Sequence, residues 1–304
     1  MGSPDVRIAL ISDLHLGWRH WPPHSSTALM NHLLGHIVGQ HPHIVICTGD
    51  LLDSPLSPLG WYQARQLLNG LQEKCGNQCT VRWVPGDHDL AIGGKISIKR
   101  VAHAVLRKCF RRYLLDDNPF ECPMLGVTLL GVDSVQPFWQ SLGRWLFRYK
   151  SHPYHEVPNE VLNRLAKAQS ELRRKPGDIS PNNLKIVAMH HLPLHTIPVE
   201  GSTTKLTAHS AGPLLLALAE NGTNLLLHGD LHRPAYYRLT VCFDGLEREI
   251  ISLCAGRIKT DDPWKNSYML IIVRSVDEIS AEVYRMVEGR TFEPAERHDI
   301  KNPL

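Results

Sequence analysis

The chain has 304 residues, of which 43% are hydrophobic and 21% charged, with a formal net charge of +3. That composition belongs to a globular protein able to bury a full core, and it excludes disordered, collagen-like and coiled-coil chains. A pI near 8.5 is too mildly basic to mark a dedicated nucleic-acid binder, which concentrates Lys and Arg in one stripe.

Met1-Gly2-Ser3-Pro4-Asp5 leads straight into an apolar run, Val6–Ile11, that reads as a buried strand. The run is too short and wrongly flanked for a signal peptide, and Val6 stands where a myristoylation pattern wants Ser or Thr. No apolar stretch approaches the length of a membrane span, so a cytoplasmic protein without a membrane partner is expected. Seven scattered cysteines, an odd number, fit reduced thiols in such a compartment. Cys75 and Cys79 lack the second pair that a zinc knuckle needs.

Further apolar runs at His43–Cys47, Thr80–Val84, Val127–Val132, Leu184–Met189 and Asn224–Leu227 predict more buried strands. Between them, Ala28–Val38 has helical spacing, with Leu29, Leu33, Leu34 and Ile37 on one face. Trp61–Leu71, Lys95–Leu115, Pro158–Arg174 and Pro213–Ala219 also read as helices, Pro158 and Pro213 being suited to a first turn. Residues Gln136–Pro158 look like an irregular insertion. Near the end, Ala235–Phe243, Leu246–Leu253, Ser267–Val273 and Ile279–Val287 predict consecutive strands, the first two joined at Asp244-Gly245. Strand–helix alternation followed by strands predicts one domain over residues 1–304. Its parts are a core over 6–232, a closing second sheet over 235–290 and a tail over 291–304.

The chemistry gathers just after the predicted strands. Ile11 is followed by Ser12-Asp13-Leu14-His15, and Cys47 by Thr48-Gly49-Asp50-Leu51-Leu52-Asp53. Val84 leads to Pro85-Gly86-Asp87-His88-Asp89, Met189 to His190-His191, and Leu227 to His228-Gly229-Asp230-Leu231-His232. Ligands of α/β folds collect at the carboxyl ends of strands. Five strand ends that deliver carboxylates and imidazoles to one edge meet the needs of a metal centre. A lone Asp-x-His would carry little weight.

These loops resemble the calcineurin-like metallophosphoesterase superfamily, whose signature is DxH, GDxxD, GNH(D/E), a lone His and GHxH. The resemblance spans about Ile8 to His232. Gly131-Val132-Asp133-Ser134, His190-His191-Leu192-Pro193 and Asn266-Ser267-Tyr268 are similar to features of its class III cyclic-nucleotide phosphodiesterase branch. The resemblance implies an α/β fold, a four-layer α/β/β/α sandwich of two mixed sheets flanked by helices. It implies two divalent metal ions, with Asp13, His15 and His232 on the first, Asp50 bridging, and Asp87, His190 and Asp230 on the second. His88 would be the general acid or an electrophilic contact to the phosphate, oriented by Asp53. Of the adjacent histidines, His190 matches the ligand position better than His191. Two cations about 3.5–4 Å apart clamp phosphoryl oxygens and acidify a bridging water, whose hydroxide attacks phosphorus in line. The expected activity is that of a phosphodiesterase on a small or nucleotide-like phosphate ester. A nuclease of the same superfamily and a degenerate scaffold that only binds metal are the alternatives.

Two positions depart from the signature: the Asn of GNH(D/E) is Asp87, and the first His of GHxH is Asp230. Both map to the second metal, whose shell loses an amide and an imidazole and gains two carboxylates. Such a harder site favours Mn²⁺ or Mg²⁺ over Zn²⁺, with Fe also compatible with mixed Asp/His ligation. Retention of Asp53, His88 and Asp89 favours activity over a scaffold. His228, at a strand end before Gly229, reads as structural rather than as a ligand. Beside the ligands, Arg233 and Arg19 are placed to contact a phosphate, and Trp18 to stack on a base.

Overall fold

The computed structural model describes residues 5–17, 23–76, 79–92, 96–97, 108–114, 120–122, 126–132, 134, 184–192, 211–243, 245–258, 266–275, 278–287 and 291–301. In chain order they form β1 (Val6–Ile11), α1 (Pro23–Gly39), β2 (Ile44–Thr48), α2 (Pro58–Cys75), β3 (Thr80–Val84) and α3 (Asp87–Leu90). A small ribbon follows, β4 (Ala91–Ile92) with β5 (Ile96–Ser97), then β6 (Phe120–Cys122), β7 (Val127–Val132) and β8 (Leu184–Met189). The last part holds α4 (Ala211–Glu220), β9 (Leu225–His228), β10 (Pro234–Phe243), β11 (Leu246–Ala255), β12 (Ser267–Ser275), β13 (Glu278–Val287) and β14 (Thr291–Lys301).

Two six-stranded mixed sheets result, in the orders β14-β13-β12-β1-β2-β3 and β10-β11-β9-β8-β7-β6. Side chains of a strand alternate between faces, and here the alternation sorts them into separate cores. From β1, Ile8 and Leu10 point between the sheets, where they meet Ile186, Leu227, Leu253 and Ile271. Ala9 and Ile11 point the other way, onto Leu33 and Ile37 of α1 and Leu67 and Leu71 of α2. On the far side, Val187, Met189 and Leu226 leave the second sheet to pack on Leu214 and Leu218 of α4. Three apolar seams separate four layers, the α/β/β/α sandwich expected from the loops.

The closing strands are arranged differently from the sequence reading. They do not make one second sheet: β10 and β11 extend one sheet beside β9, whereas β12 and β13 extend the other beside β1. Residues 291–301 are not a tail but an antiparallel edge strand on β13. Pro294 and a run of charged residues mask it in the sequence. An edge strand tolerates proline because one rim makes no ladder bonds, and Pro294 lies at the register shift opposite Tyr284. The predicted helix Lys95–Leu115 also fails at its start, where Ile96–Ser97 pairs with Ala91–Ile92. Within it, only 108–110 are helical among the described residues. The helix Pro158–Arg174, the insertion Gln136–Pro158, Trp18 and Arg19 lie outside the described residues.

Local chemistry sets where α2 begins. The Ser57 hydroxyl accepts the Gly60 N–H at 3.1 Å and donates to the Gly17 carbonyl at 3.2 Å, with Pro58 at the first turn. Gln63 adds an acceptor for the Gly17 N–H at 3.0 Å. The loop after β1 is thereby clasped to the start of α2, and this fixes Asp13-Leu14-His15 from behind.

Candidate metal centre

Each of the five loops starts where a parallel strand stops, so their side chains converge on one edge of the sandwich. The Asp13 N–H donates to the Gly49 carbonyl at 3.1 Å and the His15 N–H to the Asp50 carbonyl at 2.9 Å, which ties the first two loops together. The Asp230 N–H donates to Asp13 Oδ2 at 3.1 Å, bringing in the loop after β9. The Gly229 N–H donates to the His190 carbonyl at 2.9 Å. The backbones approach closely because glycine stands at the contacts. A Cβ on Gly49 would strike the His190 ring, and one on Gly229 would strike Ser12 Oγ and Asp13 Oδ2.

Strain marks the same residues. Asp13 (φ 53°), His15 (45°), Asp50 (48°), Asp230 (64°) and His232 (56°) all sit in the left-handed region. His41 is the one other described non-glycine residue with positive φ. Left-handed backbone costs roughly 1 kcal/mol per residue and persists where the surroundings impose it, typically at functional sites. The segments Asp13-Leu14-His15 and Asp230-Leu231-His232 share one conformation, left-handed at the first and third positions.

Around this frame the acidic and imidazole groups come together. His232 Nε2 lies 3.3 Å from Asp13 Oδ1, and the His15 and His232 rings meet edge-on at 5.7 Å. Asp50 is nearly buried and faces two ways: Oδ2 is 3.7 Å from His15 Nε2 and Oδ1 is 3.4 Å from His190 Nε2. Asp87 Oδ1 is 3.3 Å from the same His190 nitrogen. Sets of three groups compact enough for one cation are Asp13–His15–His232, Asp13–Asp50–His190, Asp87–His190–His191, Asp50–Asp87–His88 and His15–Asp53–His88. Asp230 is absent from all five sets, and His228, with Nδ1 on the Gly229 carbonyl at 3.2 Å, joins none of them either.

Hydrogen bonds set the tautomers. His190 Nδ1 lies 2.9 Å from the Thr48 carbonyl, which can only accept, so Nδ1 carries a proton and Nε2 is turned toward Asp50 and Asp87. That Nε2 is fully buried and makes no aligned hydrogen bond, and Asp13 Oδ1 is in the same position. Two carboxylates facing a buried nitrogen call for positive charge between them: burial opposes it, but Asp50, Asp87 and Asp13 raise the His190 pKa well above its ordinary value, and a metal ion in place of that proton fits the donor set. His88 is half-exposed, and its Nδ1 lies 3.0 Å from the Asp53 backbone carbonyl. Asp53 therefore orients His88 through its main chain, its carboxylate lying 4.0 Å away.

The charges shift accordingly. Burial pushes the Asp50 carboxyl up to about 6, assisted by Asp87 and Asp13 and opposed by His190. Burial also works on Asp13, but the imidazoles of His232, His190 and His15 outweigh it and hold the carboxyl below its ordinary value. Asp87 is held well below for the same reason, by His190, His191 and His88 against burial. His88 is raised: burial opposes, and Asp50, Asp87 and Asp53 prevail. An imidazole raised in this way keeps its proton to higher pH than a free one and can give it to a leaving oxygen.

The contacts made by two residues lay outside the sequence reading. Asp89, fully buried, accepts from the amides of Leu52 at 2.7 Å and Gly86 at 2.8 Å, locking two loops together. Ser134 contacts His191, its Oγ lying 2.8 Å from Nδ1 and accepting the backbone N–H at 3.2 Å. Both residues stand in the quoted strand-end motifs, and these were the available signals. Arg233 is half-buried and hydrogen-bonded to Tyr237, whose hydroxyl burial raises and Arg233 pulls back. Among the described residues, no helix is long and apolar enough to cross a membrane.

Comparison with known proteins agrees with this geometry at the level of fold. The chain is similar to the GAP50 anchor in the inner membrane complex of Plasmodium, with TM-score 0.53 and 11% identity over 99% of this chain and 90% of that one. It is also similar to the purple acid phosphatase PPD1 from yellow lupin seeds, with TM-score 0.56 and 10% identity over 98% of this chain. It spans about half the lupin protein, 54% of that chain. No curated protein matches in sequence. The family model of calcineurin-like phosphoesterases matches residues 6–234, the stretch that carries all five loops, and the chain belongs to that family.

Proposed function

We propose that the protein is a metal-dependent phosphodiesterase acting on a small or nucleotide-like diester, with two divalent cations, Mn²⁺ foremost and Fe, Zn or Mg²⁺ as alternatives. The observation that carries this reading is the His190 imidazole: buried, held at Nδ1 by the Thr48 carbonyl, and turned with Nε2 toward both Asp50 and Asp87. Asp13, His15 and His232 would hold one cation and Asp87 with His190 the other, Asp50 offering one oxygen to each. Bound there, the cations supply Lewis acidity toward the phosphoryl oxygens and toward water. Asp53 holds His88 by its Nδ1, which leaves Nε2 to deliver the proton to the departing alkoxide. Arg233, beside His232, supports an anion contact, and Arg19 is assigned the same role from its place after the first loop. Preference for diesters, and kinship with the class III cyclic-nucleotide branch, rest on Gly131–Ser134, His190–Pro193 and Asn266–Tyr268 in the sequence. Cytoplasmic location and a single domain remain part of the same reading.

Hydrolysis of bis-p-nitrophenyl phosphate across a panel of cations tests the proposal. The expected result is cation-dependent turnover that exceeds that on the monoester, and at least a hundredfold loss in Asp50→Asn. Degradation of single- or double-stranded DNA under the same conditions would reassign the protein as a nuclease. No turnover with any cation, together with measurable cation binding, would make it a scaffold.

A further inference from the structure

The second metal position loses an imidazole at Asp230, and the structure offers another. We propose that His191 supplies the missing nitrogen ligand of the second cation, so that its shell is Asp50, Asp87, His190 and His191, while Asp230 acts through its backbone. This inference rests on the two-cation reading above.

Four observations carry it. First, His191 is nearly fully buried, beside His190, with the two rings edge-on at 4.8 Å. A histidine is seldom buried so completely in a loop without a polar task. Second, Asp87, His190 and His191 each offer one ligand atom, all within 4.8 Å of one another. His191 Nδ1 is the nitrogen 2.8 Å from Ser134 Oγ, so a cation taken by this ring would be bound at Nε2. Third, Ser134 suits an imidazole that must bind metal through Nε2. Its hydroxyl, buried beside the ring, can accept the Nδ1 proton while also accepting the His191 backbone N–H. Such a contact to the distal nitrogen fixes the tautomer and ring plane of a metal-bound histidine.

Fourth, Asp230 has a different part to play. Its N–H donates to Asp13 Oδ2 at 3.1 Å, and its left-handed φ of 64° repeats that of Asp13 in the matching loop. Aspartate is among the few residues that adopt this conformation readily, which gives it a backbone reason to be there. Without Asp230, the two cations face three carboxylates, Asp13, Asp50 and Asp87, and keep a net charge of +1, whereas four carboxylates would cancel it. The centre retains an attraction for phosphate. Two imidazoles on the second cation also turn its preference away from Mg²⁺ and toward Zn²⁺, Co²⁺, Fe²⁺ or Mn²⁺.

The test is calorimetric titration of the metal-free full-length chain with Zn²⁺, Mn²⁺ and Mg²⁺, with the cation-free melting temperature as a check on folding. His191→Asn keeps a polar group near Ser134 but removes the outer nitrogen. It should weaken the second binding step at least tenfold and leave the first unchanged. His191→Gln, which returns an oxygen near the Nε2 position, should recover part of that loss. Asp230→Asn should leave the second step within about threefold of the parent. If His191→Asn does not fold, Ser134→Ala carries the test, with an expected loss of about tenfold in the second step. Unchanged second-step affinity in the His191 variants, with a tenfold loss in Asp230→Asn, overturns the inference and leaves the two-cation reading standing. Uptake of only one cation by the parent chain overturns both.

Discussion

His190 shows how a single residue is placed by what surrounds it. Its ring is held against Gly49, its Nδ1 donates to the Thr48 carbonyl, and two carboxylates face its Nε2. His43, remote from the centre, illustrates the same rule with a measurable outcome. Its Nδ1 accepts the Arg7 N–H at 3.0 Å, a bond that the protonated ring cannot make. Burial and the Arg7 charge accordingly lower its pKa below the ordinary 6.5. The unfolded chain then binds a proton before the folded one does. The His43 contribution is therefore full above about pH 6.5 and lost as pH falls toward the folded value. His43→Asn retains an acceptor near the Nδ1 position and does not titrate. Urea unfolding at pH 7.5 and pH 5 should show the parent losing more stability than the variant on acidification. Equal losses would contradict the assignment.

The convergence of the candidate ligands was legible in the chain, because Asp and His after apolar strands have few structural uses in such density. Their left-handed backbones were not, since φ depends on the loops across the edge. Nor was the choice between carboxylate and backbone at Asp230. The sequence names a residue at that position without saying which of its groups meets the neighbouring loop.

At the scale of elements, the pattern of short apolar runs was a reliable guide where both faces are apolar, as in β1, β2, β7 and β8. It misled at the margins. In β14 only Phe292 and Ile300 among its larger side chains are buried, too few to stand out against the charges between them. The start of α2 was missed by three residues, Pro58 for Trp61, because apolar spacing dates a helix from its first buried turn and not from its cap. The cap itself has a measurable worth. Ser57→Ala removes the acceptor of the Gly60 N–H and the donor to the Gly17 carbonyl. It should cost about 1 kcal/mol in chemical denaturation. Because Gly17 follows the first ligand loop, the same variant should also weaken the first cation more than the second. An effect on stability alone would mean that the clasp does not reach the ligands.

For the molecule as a whole, the split of the closing strands between the sheets could not be read from the chain, since both pairs have similar apolar patterns. That split decides the architecture around the centre. Asp13, Asp50 and Asp87 hang from one sheet, while His190 and His232 hang from the other. Cation binding should therefore be linked to the packing of the two sheets. At a free concentration 100 times the dissociation constant, a bound cation adds about 2.7 kcal/mol, which for a chain of 304 residues corresponds to a rise of roughly 4 °C in melting temperature. Differential scanning calorimetry with and without a chelator checks this, and a melting temperature unmoved by Mn²⁺ or Zn²⁺ would show that the centre does not bridge the halves.

Adjacent positions along a strand are about 3.3 Å apart, close to the separation of His232 Nε2 from Asp13 Oδ1. A slip of one sheet over the other by a single step would move the two halves of the centre apart by as much as the whole contact. The centre thus works as a gauge of alignment between the sheets: it is assembled only in a sandwich whose halves have met in one register, and misdocked forms of the chain are left without it.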